Sequence, residues 1–199
     1  ATRRLCEMAR QSGRFVILDV SQSFGGGPLD LSEWSYDAVV SVGYKWQLGG
    51  YGVCMMSVHS NWWGSAPLEN SWTQRANGKD FSKLTQYIPD FMQGARRFDA
   101  GGLSHFMLIP MLATALRILS DIGLDRIFKH NQELVAHLVR IMQKQGWTSP
   151  ANIVGHFVGL LPPANVELPA LQKRLSDAKI YVSVRGKYLR VSPHLYNCA

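Results

Sequence analysis

Asp37-Ala38-Val39-Val40-Ser41-Val42-Gly43-Tyr44-Lys45-Trp46-Gln47-Leu48-Gly49-Gly50-Tyr51-Gly52 is the stretch on which the reading of the fold turns. Its first half is a short run rich in valine, which reads as a strand, and its glycine-rich second half reads as a turn. Lys45 stands where that strand ends. Upstream, Phe15-Val16-Ile17-Leu18 forms a second run that ends in Asp19, with Gln22 a few residues on. Downstream, Gly52-Val53-Cys54-Met55-Met56-Ser57 forms a third. Apolar runs bounded by turns suit strands buried on both faces, as in a parallel sheet.

Around this centre the pattern alternates. Residues 3–12 read as a helix that leads through Gly13 into the first strand, and Asp30–Trp34 as a short helical or turn segment. Residues 60–100 are aromatic, polar and weakly periodic, as functional or interface segments often are. A helix over 103–120 is expected to kink or break at Pro110. Leu124, Ile127, Phe128, Leu134, Val135, Leu138, Ile141 and Met142 recur at helical spacing, so 124–145 is a helix, ended by Gly146. A small α+β segment follows: a strand near 153–161, a turn at Pro162-Pro163, a helix near 168–178, and strands near 180–184 and 188–192. The class is α/β, with a boundary in the long helix near 121–146.

Composition narrows the function classes. With 18% charged and 46% hydrophobic residues the chain has the makings of a packed core. No apolar stretch approaches the roughly 20 residues that span a bilayer, and Ala1–Cys6 lacks the apolar core of a secretory signal. Cys6, Cys54 and Cys198 lie far apart without metal-ligand spacing, which points to free thiols and a cytoplasmic protein. The histidines show no pairing that suggests a metal. The net charge of +7 is scattered, with no like-charge run and no nucleic-acid motif, so a solvated basic surface is expected and no nucleic-acid partner.

The chemistry lies at the strand ends. Asp19 alone would commonly cap a loop, and Lys45 alone would commonly face solvent. Together they occupy the carboxyl ends of strands, where open α/β sheets gather ligands. An amine at one such end and an acid at another suit pyridoxal 5'-phosphate (PLP): a lysine holds it as a Schiff base, and an acid keeps its ring nitrogen protonated. Such a lysine needs partial desolvation, for which Tyr44, Trp46 and Leu48 offer apolar surface.

Leu18-Asp19-Val20-Ser21-Gln22-Ser23-Phe24-Gly25 and Gly43–Gly52 resemble the class V aminotransferases, fold-type-I PLP enzymes that include cysteine desulfurases, selenocysteine lyases, kynureninases and isopenicillin N epimerase-like proteins. Pro67-Leu68-Glu69-Asn70-Ser71-Trp72, Gly94-Ala95-Arg96-Arg97-Phe98-Asp99 and Leu189-Arg190-Val191-Ser192-Pro193-His194-Leu195-Tyr196-Asn197 extend the resemblance. It implies that residues 1–120 form the C-terminal part of the PLP-binding large domain, with a mostly parallel sheet. Residues 121–199 would then form a linking helix and a small α+β domain. It further implies Lys45 as the Schiff-base lysine, Asp19 on the pyridine nitrogen, Gln22 on the ring hydroxyl oxygen, Tyr44 on the phosphate, and Arg190 on the substrate's α-carboxylate. Gly102 replaces a threonine that in relatives reaches the neighbouring subunit's phosphate, leaving only a backbone N–H. Val42 stands where many desulfurases have a serine. The segment 184–189 holds no cysteine, and Cys54 falls in a run expected to be buried, so a desulfurase is disfavoured.

The expected function is therefore PLP-dependent chemistry at the α-carbon or amine of an amino-acid substrate: aminotransferase, lyase or epimerase. The resemblance also implies a homodimer in the complete protein. The chain is expected to be a fragment, split product or truncated isoform lacking the N-terminal half, and unable alone to hold PLP in a competent geometry. The alternative is a catalytically inactive, truncated paralogue that serves as a binding or structural remnant.

Overall fold

In the first helix, α1 (Thr2–Gln11), only Cys6 is buried. Gly13, at φ +66°, turns the chain out of it. Strand β1 (Ile17–Asp19) pairs in parallel with β2 (Ala38–Val42), Ile17 opposite Ala38 and Asp19 opposite Val40. β3 (Cys54–Val58) joins the other side of β2 antiparallel, with Cys54 opposite Val42. Only part of the expected parallel sheet is thus parallel. The reason is connection length: residues 43–53 are too few for the crossover of a dozen or more residues that a parallel strand requires. The computed structural model describes residues 2–102 and 105–198. They divide into two compact units, Ala1–Gly25 with Leu29–Ile118, and Gly26–Pro28 with Leu119–Ala199.

Asp37 knots the first unit together. Its carboxylate accepts the Val16 N–H at 2.7 Å, the Trp62 indole N–H at 2.7 Å and Arg10 Nη1 at 2.6 Å. One 1%-exposed side chain so ties α1, the start of β1, the start of β2 and the 3-10 turn Ser60–Trp62. Burial pushes this carboxyl upward, but the hydrogen bonds from Val16 and Trp62 and the charge of Arg10 outweigh it and hold it below the usual carboxylate range.

Both outer strands are exposed. Ile17 on β1 is 60% exposed, and along β3 only Met55 and Val58 are even partly covered. The expectation that these runs are buried on both faces fails there, and Cys54 is exposed rather than buried. Each of these strands has β2 on one side and, among the described residues, no strand on the other. Residues 60–100 carry short 3-10 turns, Ser60–Trp62, Trp72–Gln74, Phe81–Lys83 and Gly94–Phe98, and an isolated antiparallel bridge between Arg75 and Phe91.

Helix α2 (Leu108–Ile122) starts later than expected, and Leu103 and Ser104 lie outside the described residues. Pro110 falls in its first turn, where a backbone N–H has no partner within the helix, so it neither kinks nor breaks it. In the second unit α3 (Leu124–Lys144) ends at a Gly146 turn of φ +80°, where the Trp147 N–H returns to the Met142 carbonyl at 3.1 Å. β4 (Val158–Leu160), α4 (Leu168–Asp177), β5 (Ser183–Arg185) and β6 (Tyr188–Val191) follow, the strands ordered β4-β6-β5 and antiparallel. Val135 and Val139 of α3 meet Trp147, Val158, Leu160, Leu168 and Leu189 in its core. Among the described residues no helix is long and apolar enough to cross a membrane.

Candidate active site

The ends of β1 and β2 are laced together. Beyond Asp19 the ladder continues for one bond, Val20 N–H to the Val40 carbonyl at 2.9 Å, and the chain then folds back as Phe24 N–H meets the Val20 carbonyl. Ser21 is the buried hinge of that turn: its N–H donates to Asp19 Oδ1 at 2.9 Å, and its Oγ accepts the Val42 N–H at 3.1 Å. A second tie runs from the Trp46 indole N–H to Gln22 Oε1 at 3.1 Å. Lys45 therefore emerges beside Asp19 because the residues next to each are bonded across the gap.

The Lys45 turn is itself constrained. Leu48 N–H returns to the Lys45 carbonyl at 3.0 Å, and Gly49 N–H to the Gly43 carbonyl at 2.8 Å. Gln47, fully buried, donates to Ser41 Oγ beneath the turn. Gly25 packs against the other side: at φ +92°, a side chain there would run into the Trp46 carbonyl. Tyr44 stacks on Tyr51 with ring centroids 4.0 Å apart, and the Lys45 ammonium lies 5.8 Å from the Tyr44 ring.

Electrostatically the site sets a carboxylate within the field of an amine. The Asp19 carboxyl is held below its ordinary range, first by the Ser21 hydroxyl and N–H, and further by the positive charge of Lys45. Asp19 is solvent-exposed, whereas Lys45 is half-buried. Among the described residues no direct ion pair joins them.

Four of the six residues singled out in the sequence, Asp19, Gln22, Tyr44 and Lys45, thus gather at two adjacent strand ends. Gly102 lies past the 3-10 turn Gly94–Phe98, at φ +73° with open space around its α-carbon. Arg190 belongs to the second unit, on β6 between Gly159 and Ser183, its guanidinium carbon 4.7 Å from the Phe157 ring centroid. Ser21 and Gln47 escape the sequence reading, and Trp46 is read there only as apolar surface beside Lys45. A serine two residues beyond an aspartate at a strand end is a legible turn signal; nothing in the sequence announces the Trp46–Gln22 bond. Among the described residues no cluster of three or more His, Cys, Asp or Glu could hold a metal ion.

This arrangement has relatives. YcbU of Bacillus subtilis (strain 168), an uncharacterized aminotransferase, is 26% identical over 196 residues, covering 98% of this chain and 50% of that protein. Isopenicillin N epimerase of Amycolatopsis lactamdurans is 28% identical over 209 residues, covering 98% of this chain and 51% of its own length. The chain spans about half the length of these curated relatives. The solved cysteine desulfurase CsdA from Escherichia coli shares the fold, with a TM-score of 0.81 at 16% identity over 98% of this chain and 51% of that one. The architecture is accordingly a partial fold-type-I fold. The family model for class-V aminotransferases matches residues 1–152, and the chain belongs to that family.

Proposed function

We propose that this chain carries the lysine-bearing part of a PLP-dependent enzyme acting at the α-carbon or amine of an amino acid, by aminotransferase, lyase or epimerase chemistry. Residues 1–120 form the C-terminal part of its cofactor-binding domain, and residues 121–199 a linking helix with a small domain. The observation that carries the reading is the pair Asp19 and Lys45 at the laced ends of β1 and β2, with the carboxyl held in its charged form.

The donor set fits PLP, the cofactor of this family. Lys45 offers the amine that holds it, Asp19 an anion for its ring nitrogen, and Gln22 an amide for its ring hydroxyl. Tyr44 serves its phosphate, and the Gly102 N–H would reach the phosphate of the cofactor held by the neighbouring subunit. When bound, the cofactor supplies an electron-withdrawing ring that acidifies the substrate's α-carbon. Asp19, ionised at neutral pH, stabilises positive charge on that ring. With the cofactor bound, Lys45 would be the base that takes the α-proton and the acid that returns it. Arg190 offers a planar fork for the substrate carboxylate. The β5–β6 hairpin turns at Gly186-Lys187 and has no thiol, which argues against desulfurase chemistry. We further propose a homodimer working in the cytoplasm, in line with three free cysteines.

A second reading, a catalytically inactive remnant that binds a partner, draws on one observation: Asp19 is exposed, and β1 carries no further strand beside it among the described residues. Absorbance separates the two. Purified chain with added PLP should develop a band at the violet edge of the visible, lost in Lys45→Ala and weakened in Asp19→Asn. No band, or an unaltered band in Lys45→Ala, would favour the remnant.

A further inference from the structure

Arg75 is only 8% exposed, yet among the described residues no carboxylate lies within ion-pairing distance of it. Its Nη1 donates to the Pro89 carbonyl at 2.7 Å and its Nη2 to Asn70 Oδ1 at 2.6 Å. The guanidinium carbon lies 4.9 Å from the Tyr87 ring centroid and 4.2 Å from that of Phe91. A guanidinium has five N–H donors, and here two are spent on neutral acceptors. Aromatic rings soften a buried cation without cancelling its charge. A buried ion without a counter-ion is costly, which leaves this one in want of an anion.

Space for one adjoins it. Arg75 borders a cavity of about 240 Å³ whose walls also include Trp72, Lys83, Leu84, Tyr87 and Ile88. Lys83 already pairs with Asp80 at 2.9 Å, so Arg75 is the cation left to meet a ligand. None of Asp19, Gln22, Tyr44 and Lys45 lines this cavity. The frame is tied rather than loose. Ala76 N–H bonds the Asp90 carbonyl at 2.9 Å, Met92 N–H the Gln74 carbonyl at 2.7 Å, and Asn77 Nδ2 the Gln86 carbonyl at 2.8 Å. Buried Gln74 bonds the Asp99 carbonyl at 2.5 Å. Such fixation lowers the ordering cost of binding.

The walls decide the ligand class. A bare phosphate would seek several donors and no apolar surface, whereas the walls here set two aromatic rings and two aliphatic side chains among polar ones. Arg75 and the Asp80-paired Lys83 are the cations, which suits a ligand with a charged end and an apolar body. The volume lies below the roughly 300–1,000 Å³ of drug-sized sites. We propose that the Arg75 cavity is a binding site for a small organic carboxylate, its carboxyl on the guanidinium and its apolar body against Trp72 and Tyr87.

The test titrates the isotope-labelled chain with phenylacetate, phenylacetamide and inorganic phosphate. It follows the indole N–H resonance of Trp72, assigned through Trp72→Phe. Phenylacetate should shift that resonance saturably, the neutral amide should bind weaker by about tenfold or more, and phosphate should bind more weakly than the acid. Arg75→Lys, with its fold checked by circular dichroism, should lose about tenfold in affinity because the planar fork is gone. The proposal is overturned by no saturable shift with phenylacetate, by equal affinity for the amide, by tighter binding of phosphate, or by unaltered affinity in folded Arg75→Lys. Should Arg75→Lys fail to fold, the comparison of acid with amide in the unaltered chain decides alone.

Discussion

Replacing Asp37 with alanine removes the acceptor for three donors at once, and the loss can be built up bond by bond. The Val16 N–H sits in buried surroundings at 2.7 Å and would be stranded, at a cost of about 2 kcal/mol. The Trp62 indole lies on a side chain open enough for water to replace part of its bond, so its share is about 1 kcal/mol. The Arg10 side chain is 38% exposed, and its pairing contributes under about 1 kcal/mol. Relief of the carboxylate's burial cost offsets some of this, leaving a net loss of about 3 kcal/mol. Asp37→Asn keeps one acceptor oxygen and should lose about half as much. Urea unfolding followed by tryptophan fluorescence measures both. Because the folded carboxyl is held below its unfolded value, the advantage of the native aspartate over the asparagine variant should be full above the unfolded value of about pH 3.9. It should fade as pH falls through the lower, folded value. A loss under about 0.5 kcal/mol in Asp37→Ala, or an advantage over asparagine that persists undiminished in strong acid, would refute the knot as the first unit's anchor.

Other consequences follow from single contacts. Gly25→Ala forces a side chain into a left-handed position against the Trp46 carbonyl; a cost above about 1 kcal/mol in thermal unfolding is expected, with weaker PLP uptake as the Lys45 turn shifts. His194 is held below the usual imidazole range by burial first and by His130 second. Its contribution is therefore intact above the unfolded value of about pH 6.5 and is lost as pH falls through the folded one. Stability curves between pH 8 and pH 5 should fall less for His194→Gln than for the unaltered chain. Thiol titration should find Cys54 and Cys198 reactive in the native chain and Cys6 reactive only on unfolding.

The strand ends were legible because their signal is local. An apolar run closed by Asp19 and another closed just before Lys45 tell where strands stop, and β1 and β2 stop there. Strand direction and exposure were not, since both depend on what lies alongside. The run at Val53–Ser57 looks the same whether β3 runs parallel or antiparallel, and it reads as buried although among the described residues β3 has a strand on one side only and Cys54 is exposed. Pro110 misled because proline in a first turn and proline in a helix interior are distinguished only by where the helix begins. Asp37 and Arg75 were opaque for a common reason. Each is a charged residue buried by partners remote in the chain, Arg10 and Trp62 for the one, Pro89 and Phe91 for the other. Composition marks neither.

The central claim is that Lys45 is the amine that takes up pyridoxal phosphate. Incubating the chain with limiting PLP, reducing with borohydride and mapping the pyridoxyl group by peptide mass spectrometry tests it most directly. The account predicts the label on Lys45 ahead of the other lysines, and less of it there in Asp19→Asn. Label spread over exposed lysines such as Lys173, with Lys45 unmodified, would contradict it.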